Sequence, residues 1–355
     1  MSSNESTLKK ALGVTHYALY TEASLPVNIS YEYYEKYVKV IEKLANGKEK
    51  SKRELNFKYI SGFTLNGKSF VNDLVDHIWI EEGVIIQTYH MFSEILSFNT
   101  FSDFVEPNKE IANIKLFYQD TEGINEHETN YRTSIIKERK IIAEYLSMFA
   151  TKFIILHEIG HHFNGHILFL HNELNTSKLE IDNYKNKIEP LVIQTLEMDA
   201  DAFAISQLAR ELSIFMDKDP LLKITLKNRL DILGICIYSL SCLYKLISNE
   251  KNDNYQSLKE SKYLPCSLRY LNNLECLKTN LLFLNIVTEE EFEEVAKKYM
   301  LLAESEFSSI FTEHYDWKKN FKYINSTVGQ LRLLKSKWKE IRDNLDKYAR
   351  CNLAK

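Results

Sequence analysis

His157 and His161 stand four residues apart in the string His157-Glu158-Ile159-Gly160-His161. On an α-helix that spacing leaves the two side chains only about 40° apart in azimuth, so both imidazoles can meet at a single cation. Glu158 lies about 100° away, poorly placed to be a ligand but able to reach a water held by that cation. A second cluster, Glu197-Met198-Asp199-Ala200-Asp201, repeats the four-residue spacing with carboxylates. Glu197 can complete a His/His/Glu donor set, while Asp201 can accept the second N–H of a ligand imidazole and fix its tautomer. Two imidazoles, one carboxylate and an open position suit a catalytic zinc ion (Zn2+), with Glu158 as its general base.

A different third ligand, as in HExxHxxGxxH, would need Gly and His where this chain has Asn164 and Ile167. Gly165 and His166 do follow, but His166 would point roughly to the opposite side of the helix from both ligands if the helix continued. His162 faces the same side as Glu158 and is read as structural or solvent-facing, His166 as structural, Asp199 as solvent-facing, and Gly160 as room for a close neighbour. The 21 tyrosines and the other histidines give no spacing argument for a transition-state donor, so that role is left unassigned.

The elements that must carry these residues can be read from periodicity. A long helix is expected from near Arg132 through the His157 motif to His166, and Pro190 suits the first turn of the helix bearing Glu197 and Asp201. Upstream, residues 30–45 have helical spacing and stop at Asn46-Gly47. Residues 55–71 read as two short strands joined as a hairpin at Asn66-Gly67, and residues 76–88 read as extended. Residues 89–98 suit a helix and residues 111–118 a further strand, with Pro107-Asn108 between them. Beyond Pro220 the pattern is nearly all helical; the run Thr288 to Glu294 reads as a helix N-terminus rather than a cation site. The expected fold class is α+β, mostly helical: a small mixed sheet packed on an active-site helix, with an added C-terminal helical region. The domain reading is 1–50 as an N-terminal helical segment, 51–215 as a metallopeptidase core and 216–355 as the helical C-terminal region.

Composition narrows the class. A chain of 355 residues, 45% hydrophobic and 26% charged, with 10 glycines and 5 prolines, has the makings of a folded globular protein. A formal charge of −4 argues against a dedicated nucleic-acid binder. The longest apolar run, Ile232 to Tyr244, falls short of the roughly 20 residues of a spanning helix and reads as a buried core helix. No integral membrane segment is expected. The N-terminal residues show no apolar stretch with a cleavage site, and the five cysteines form no CxxC; both point to a cytoplasmic protein with reduced thiols. Oligomeric state is not legible.

The segment HEIGHHFNGH followed by EMDADAFA resembles the HExxH…ExxAD signature of gluzincin-type zinc metallopeptidases, and Gly165-His166, Ala200-Asp201 and Ala204 extend the likeness. It is similar to three groups: the CAAX prenyl protease and HtpX-like family, the ImmA/IrrE-type regulatory peptidases, and the Lit-type phage-exclusion peptidases. The resemblance implies an active-site helix following a small sheet whose edge strand aligns substrate, a part assigned to Gly83 to Thr88. Membrane-bound members carry hydrophobic spans that this sequence lacks, so the soluble members are the better comparison. Residues 1–50 and 216–355 match no signature, and substrate selection is expected there. The function expected is hydrolysis of a peptide bond in an intracellular protein or peptide by zinc-bound water. The rival is a regulatory or toxin-like binding protein whose zinc site only holds the fold or senses metal.

Overall fold

The structure is a computed structural model, and it describes residues 53–60, 62–72, 75–81, 83–108, 110–119, 126–174, 188–218, 226–251, 261, 263–311, 324–351 and 353. The segment 1–50 with its expected helix lies outside these residues. The fold is α+β and mostly helical, with a small mixed sheet. Strands β1 (Glu54–Ile60), β2 (Gly67–Asn72) and β3 (Val75–Glu81) form that sheet in the order β1-β3-β2. β1 runs parallel to β3, and β2 runs antiparallel to it, pairing Gly67 with Ile80 and Asn72 with Val75.

The expected hairpin at Asn66-Gly67 therefore does not form, because β1 and β2 flank β3 on opposite sides. The segment between them crosses the end of β3, where the Glu81 amide donates to the Asn66 carbonyl (3.0 Å) and the Gly83 amide to Gly62 (2.8 Å). β3 takes the centre because its alternation buries Asp76, Ile78 and Ile80 on one face.

Helix α1 (Gly83–Ser97) corrects the second expectation. Its run of Val84, Ile85 and Ile86 looks extended by propensity, yet these residues are buried all round a helix, and a continuous apolar run cannot separate a buried strand from a buried helix. Gly83 to Thr88 is thus not an edge strand. β4 (Ile111–Gln119) pairs antiparallel with β5 (Glu126–Ser134), so the long helix begins later than Arg132, at Lys137. Polar residues on β5 mask its alternation, in which Tyr131 and Thr133 turn inward while Arg132 pairs with Glu94.

Helix α2 (Lys137–Phe163) also ends earlier than expected, before α3 (His166–Leu174). Next come α4 (Pro190–Phe215), a 3-10 turn (Met216–Lys218), α5 (Arg229–Lys251), α6 (Cys266–Phe283), α7 (Glu289–Ile310) and α8 (Ile324–Tyr348). Pro190 opens α4 and the run Thr288 to Glu294 opens α7, as the sequence pattern suggested; the structure adds a capping box of Thr288 and Glu291 there.

One hydrophobic core runs from the sheet and α1 through α2 and α4 to α5, α6 and α7, while α8 closes a smaller core with α3 and α4 through Ile341 and Leu345. Helix α5 has the length and composition to cross a membrane over Arg229–Ser248, but 83% of that window is buried inside the protein. Ile232, Leu233, Ile235 and Ile237 lose their solvent contact against α2 and α7, each burial stabilising by roughly 1.5–3 kcal/mol.

Candidate metal centre

The site forms where α2, α4, α6 and β2 converge. One face of α2 presents His157 and His161, and α4 crosses close beside it because Gly160 has no side chain. A Cβ there would lie 3.2 Å from the Ala200 carbonyl oxygen and from Phe203 Cβ. This approach brings Glu197 to the two histidines. The Nε2 atoms of His157 and His161 are 3.1 Å apart, and each lies 3.5 Å from an oxygen of Glu197. Among the described residues these three are the His/Cys/Asp/Glu group that could hold a metal ion, and all three are buried.

Hydrogen bonding tests whether the donor set suits a cation. His157 Nδ1 lies 2.8 Å from Asp201 Oδ1. Because a carboxylate accepts, that nitrogen carries the ring proton and Nε2 is left as a lone pair. His161 Nδ1 lies 3.0 Å from His166 Nδ1, and His166 Nε2 lies 3.0 Å from Asp199 Oδ2. With His166 donating to Asp199, its Nδ1 accepts from His161, so His161 Nε2 is a lone pair as well. Two lone pairs facing one another at 3.1 Å beside a carboxylate repel unless a proton or a cation lies between them. Tetrahedral zinc with ligands about 2.0–2.2 Å away places its donors at such separations. The set fits.

The charges point the same way. Burial opposes charge on His157, but Asp201 and Glu197 outweigh it and raise its pKa to about 10. Burial and the neighbouring His157 hold His161 well below its ordinary value. Burial would raise Glu197, yet the hydrogen bond and charge of His157 outweigh it and lower its carboxyl. The pocket thus concentrates negative charge and favours a positive centre.

Asp201 is held more firmly than the sequence suggested. Its carboxylate also accepts from Arg269 Nε (2.8 Å), Arg269 Nη2 (2.7 Å) and the Tyr244 hydroxyl (3.2 Å), and Asn273 in turn donates to that hydroxyl (2.6 Å). Arg269 and His157 overcome desolvation and lower the Asp201 pKa to about 2.

Glu158 faces the same cleft, and Ser69 on β2 donates to its Oε2 (2.6 Å). Gly67 is required beside it, since a Cβ would lie 2.7 Å from Glu158 Cγ. Burial raises the Glu158 carboxyl, and His157 and Ser69 oppose this only in part. The cleft has a volume of about 100 Å³. Leu65, Phe153, Ile154 and Ile247 form its apolar wall, and Tyr244, Tyr263 and Arg269 its polar one.

All five residues expected at the site meet there. His162 is structural: it is buried, donates from Nε2 to the His77 carbonyl (2.9 Å), and is lowered to about 4 by burial. Asp199 corrects the sequence reading, for it bonds Asn164, His166 and Trp338 rather than facing solvent. Ser69, Tyr244 and Arg269 went unread because no fixed spacing ties them to the motif. The break that redirects His166 did leave a signal, Asn164-Gly165, a pair that commonly ends helices.

Residues 120–281 match the family described as Peptidase U49. That stretch contains His157, Glu158, His161, Glu197, Asp201, Tyr244 and Arg269, and the similarity supports a peptidase. No curated protein and no solved structure matches the chain.

Proposed function

We propose that the protein is a zinc-dependent endopeptidase of the cytoplasm, with His157, His161 and Glu197 holding the ion, Asp201 orienting His157 and Glu158 acting as general base. The observation that carries this reading is the convergence of two Nε2 lone pairs and Glu197 in a cleft that also holds Glu158. A bound zinc ion would supply Lewis acidity, lowering the pKa of a water to about 7 and polarising a carbonyl.

Glu158 takes the proton of the attacking water at its carboxylate and returns it to the departing amine, serving as base and then as acid. Burial raises its carboxyl above the ordinary value, the direction that suits a group asked to take up and then return a proton. Ser69 fixes the carboxylate through Oε2. The sheet edge beside the cleft is β2, which carries Gly67 and Ser69 and, among the described residues, pairs with β3 alone. An extended substrate backbone adds along that edge, and the apolar wall receives a hydrophobic side chain.

The test uses purified protein and a peptide library. Cleavage should vanish on chelation, return with Zn2+, and be absent from Glu158→Gln despite normal zinc content. If Glu158→Gln keeps the full cellular effect of the wild type, a binding role replaces the peptidase reading.

A further inference from the structure

We propose that His166 is a positioning residue for the metal ligand His161, held in place by Asp199 and, through Asp199, by Trp338 of α8. The inference rests on the zinc reading above and extends it to residues outside the ligand set.

Local geometry creates the arrangement. α2 stops at Phe163, and Gly165 adopts φ +81°, a conformation that side chains rarely tolerate. The turn seats Gly165 against α8, where a Cβ would lie 2.6 Å from the Ala349 amide nitrogen. It also swings His166 back toward the helix it has just left. His166 is fully buried, with Nδ1 on His161 and Nε2 on Asp199.

Asp199 accepts from three donors: Asn164 Nδ2 (2.7 Å), His166 Nε2 (3.0 Å) and Trp338 Nε1 (2.9 Å). None of these contacts lets it donate, so the direction of the chain is set. Trp338 and Asn164 orient Asp199, Asp199 accepts from His166 Nε2, and His166 Nδ1 accepts from His161 Nδ1. His161 Nε2 is thereby kept as a lone pair aimed at His157 and Glu197.

The segment Glu197 to Asp201 consequently serves the centre three ways. Glu197 reaches the ion position, Asp201 steadies His157 directly, and Asp199 steadies His161 through an intervening imidazole. Partners of this kind tune metal affinity about 10–100-fold.

Zn2+ affinity by chelator competition and the visible spectrum of the Co2+-loaded protein read the effect. His166→Ala should weaken Zn2+ binding by about 10–100-fold and alter the Co2+ bands. His166→Gln should recover most of the affinity, since its amide can accept from His161 and donate to Asp199. Trp338→Phe should weaken binding less than His166→Ala, and it carries the test should the alanine variant fail to fold. A His166→Ala or Trp338→Phe variant that matches the wild type in both readouts overturns the proposal, even if its metal-free melting temperature falls. A wild type that binds neither ion sinks the zinc reading itself; tight wild-type binding with indifferent variants sinks the positioning role alone.

Discussion

Asp201 gathers four donated hydrogen bonds, and one of its donors, Arg269, also stands 3.6 Å from Glu197. The guanidinium offsets buried carboxylate charge, so removing it leaves that charge uncompensated. Arg269→Met should lower the stability of the metal-free protein by about 3–5 kcal/mol. Added Zn2+ should recover more stability in the variant than in the wild type, because a cation restores part of the missing charge; denaturant unfolding with and without Zn2+ measures both. Ser69→Ala removes the donor that fixes Glu158 without touching a ligand. Its kcat should fall about tenfold with KM and zinc content nearly unchanged, a loss of about 1.4 kcal/mol of transition-state stabilisation.

Two glycines make the element contacts possible. Gly165→Ala forces a side chain into positive φ and against α8, and should cost roughly 1–3 kcal/mol in thermal or chemical unfolding. Gly67→Ala instead pushes the Glu158 side chain, so turnover should fall further than stability does. The same elements show what was legible beforehand. The α2 and α4 motifs could be read because i,i+4 spacing is a local property of helices, and it put His157 with His161 and Glu197 with Asp201 on shared faces; the meeting of the two pairs depends on the close crossing at Gly160. The strand order could not, since the direct pairing of β1 with β3, with β2 following β1 in the chain but lying on the far side of β3, is a non-local choice. α1 was obscured by its β-branched start, and β5 by its polar residues. Ser69 and Arg269 reach the site from segments 88 residues before His157 and 72 residues after Glu197, which only the folded topology brings together.

At the scale of the molecule, residues 216–355 contribute to the site itself, since α5 and α6 bring Tyr244 and Arg269 to Asp201 and α8 brings Trp338 to Asp199. The C-terminal segment also secures α2: the Arg350 amide donates to the Phe163 carbonyl (2.8 Å), and its guanidinium pairs with Asp76 on β3. Elsewhere in the core, Glu144 is buried and its Oε2 makes no hydrogen bond among the described residues. Burial, offset only partly by Lys140, pushes its pKa up to about 8. The folded protein therefore keeps a proton that the unfolded chain releases above about pH 4.3. That contribution to stability is whole at lower pH and is lost as pH rises toward about 8. Glu144→Gln should remove this decline and be more stable than the wild type by roughly 1–3 kcal/mol at pH 8.5, with the gap narrowing toward pH 5.

The central claim is that Glu158 moves a proton in peptide-bond hydrolysis at a His157/His161/Glu197 zinc site. Its most direct test compares protein N-termini in cells expressing the wild type or Glu158→Gln, each verified to carry equal zinc. At least one new N-terminus should appear with the wild type and none with the variant. Identical N-termini in the two samples, with the cellular effect of the protein intact in both, would contradict it.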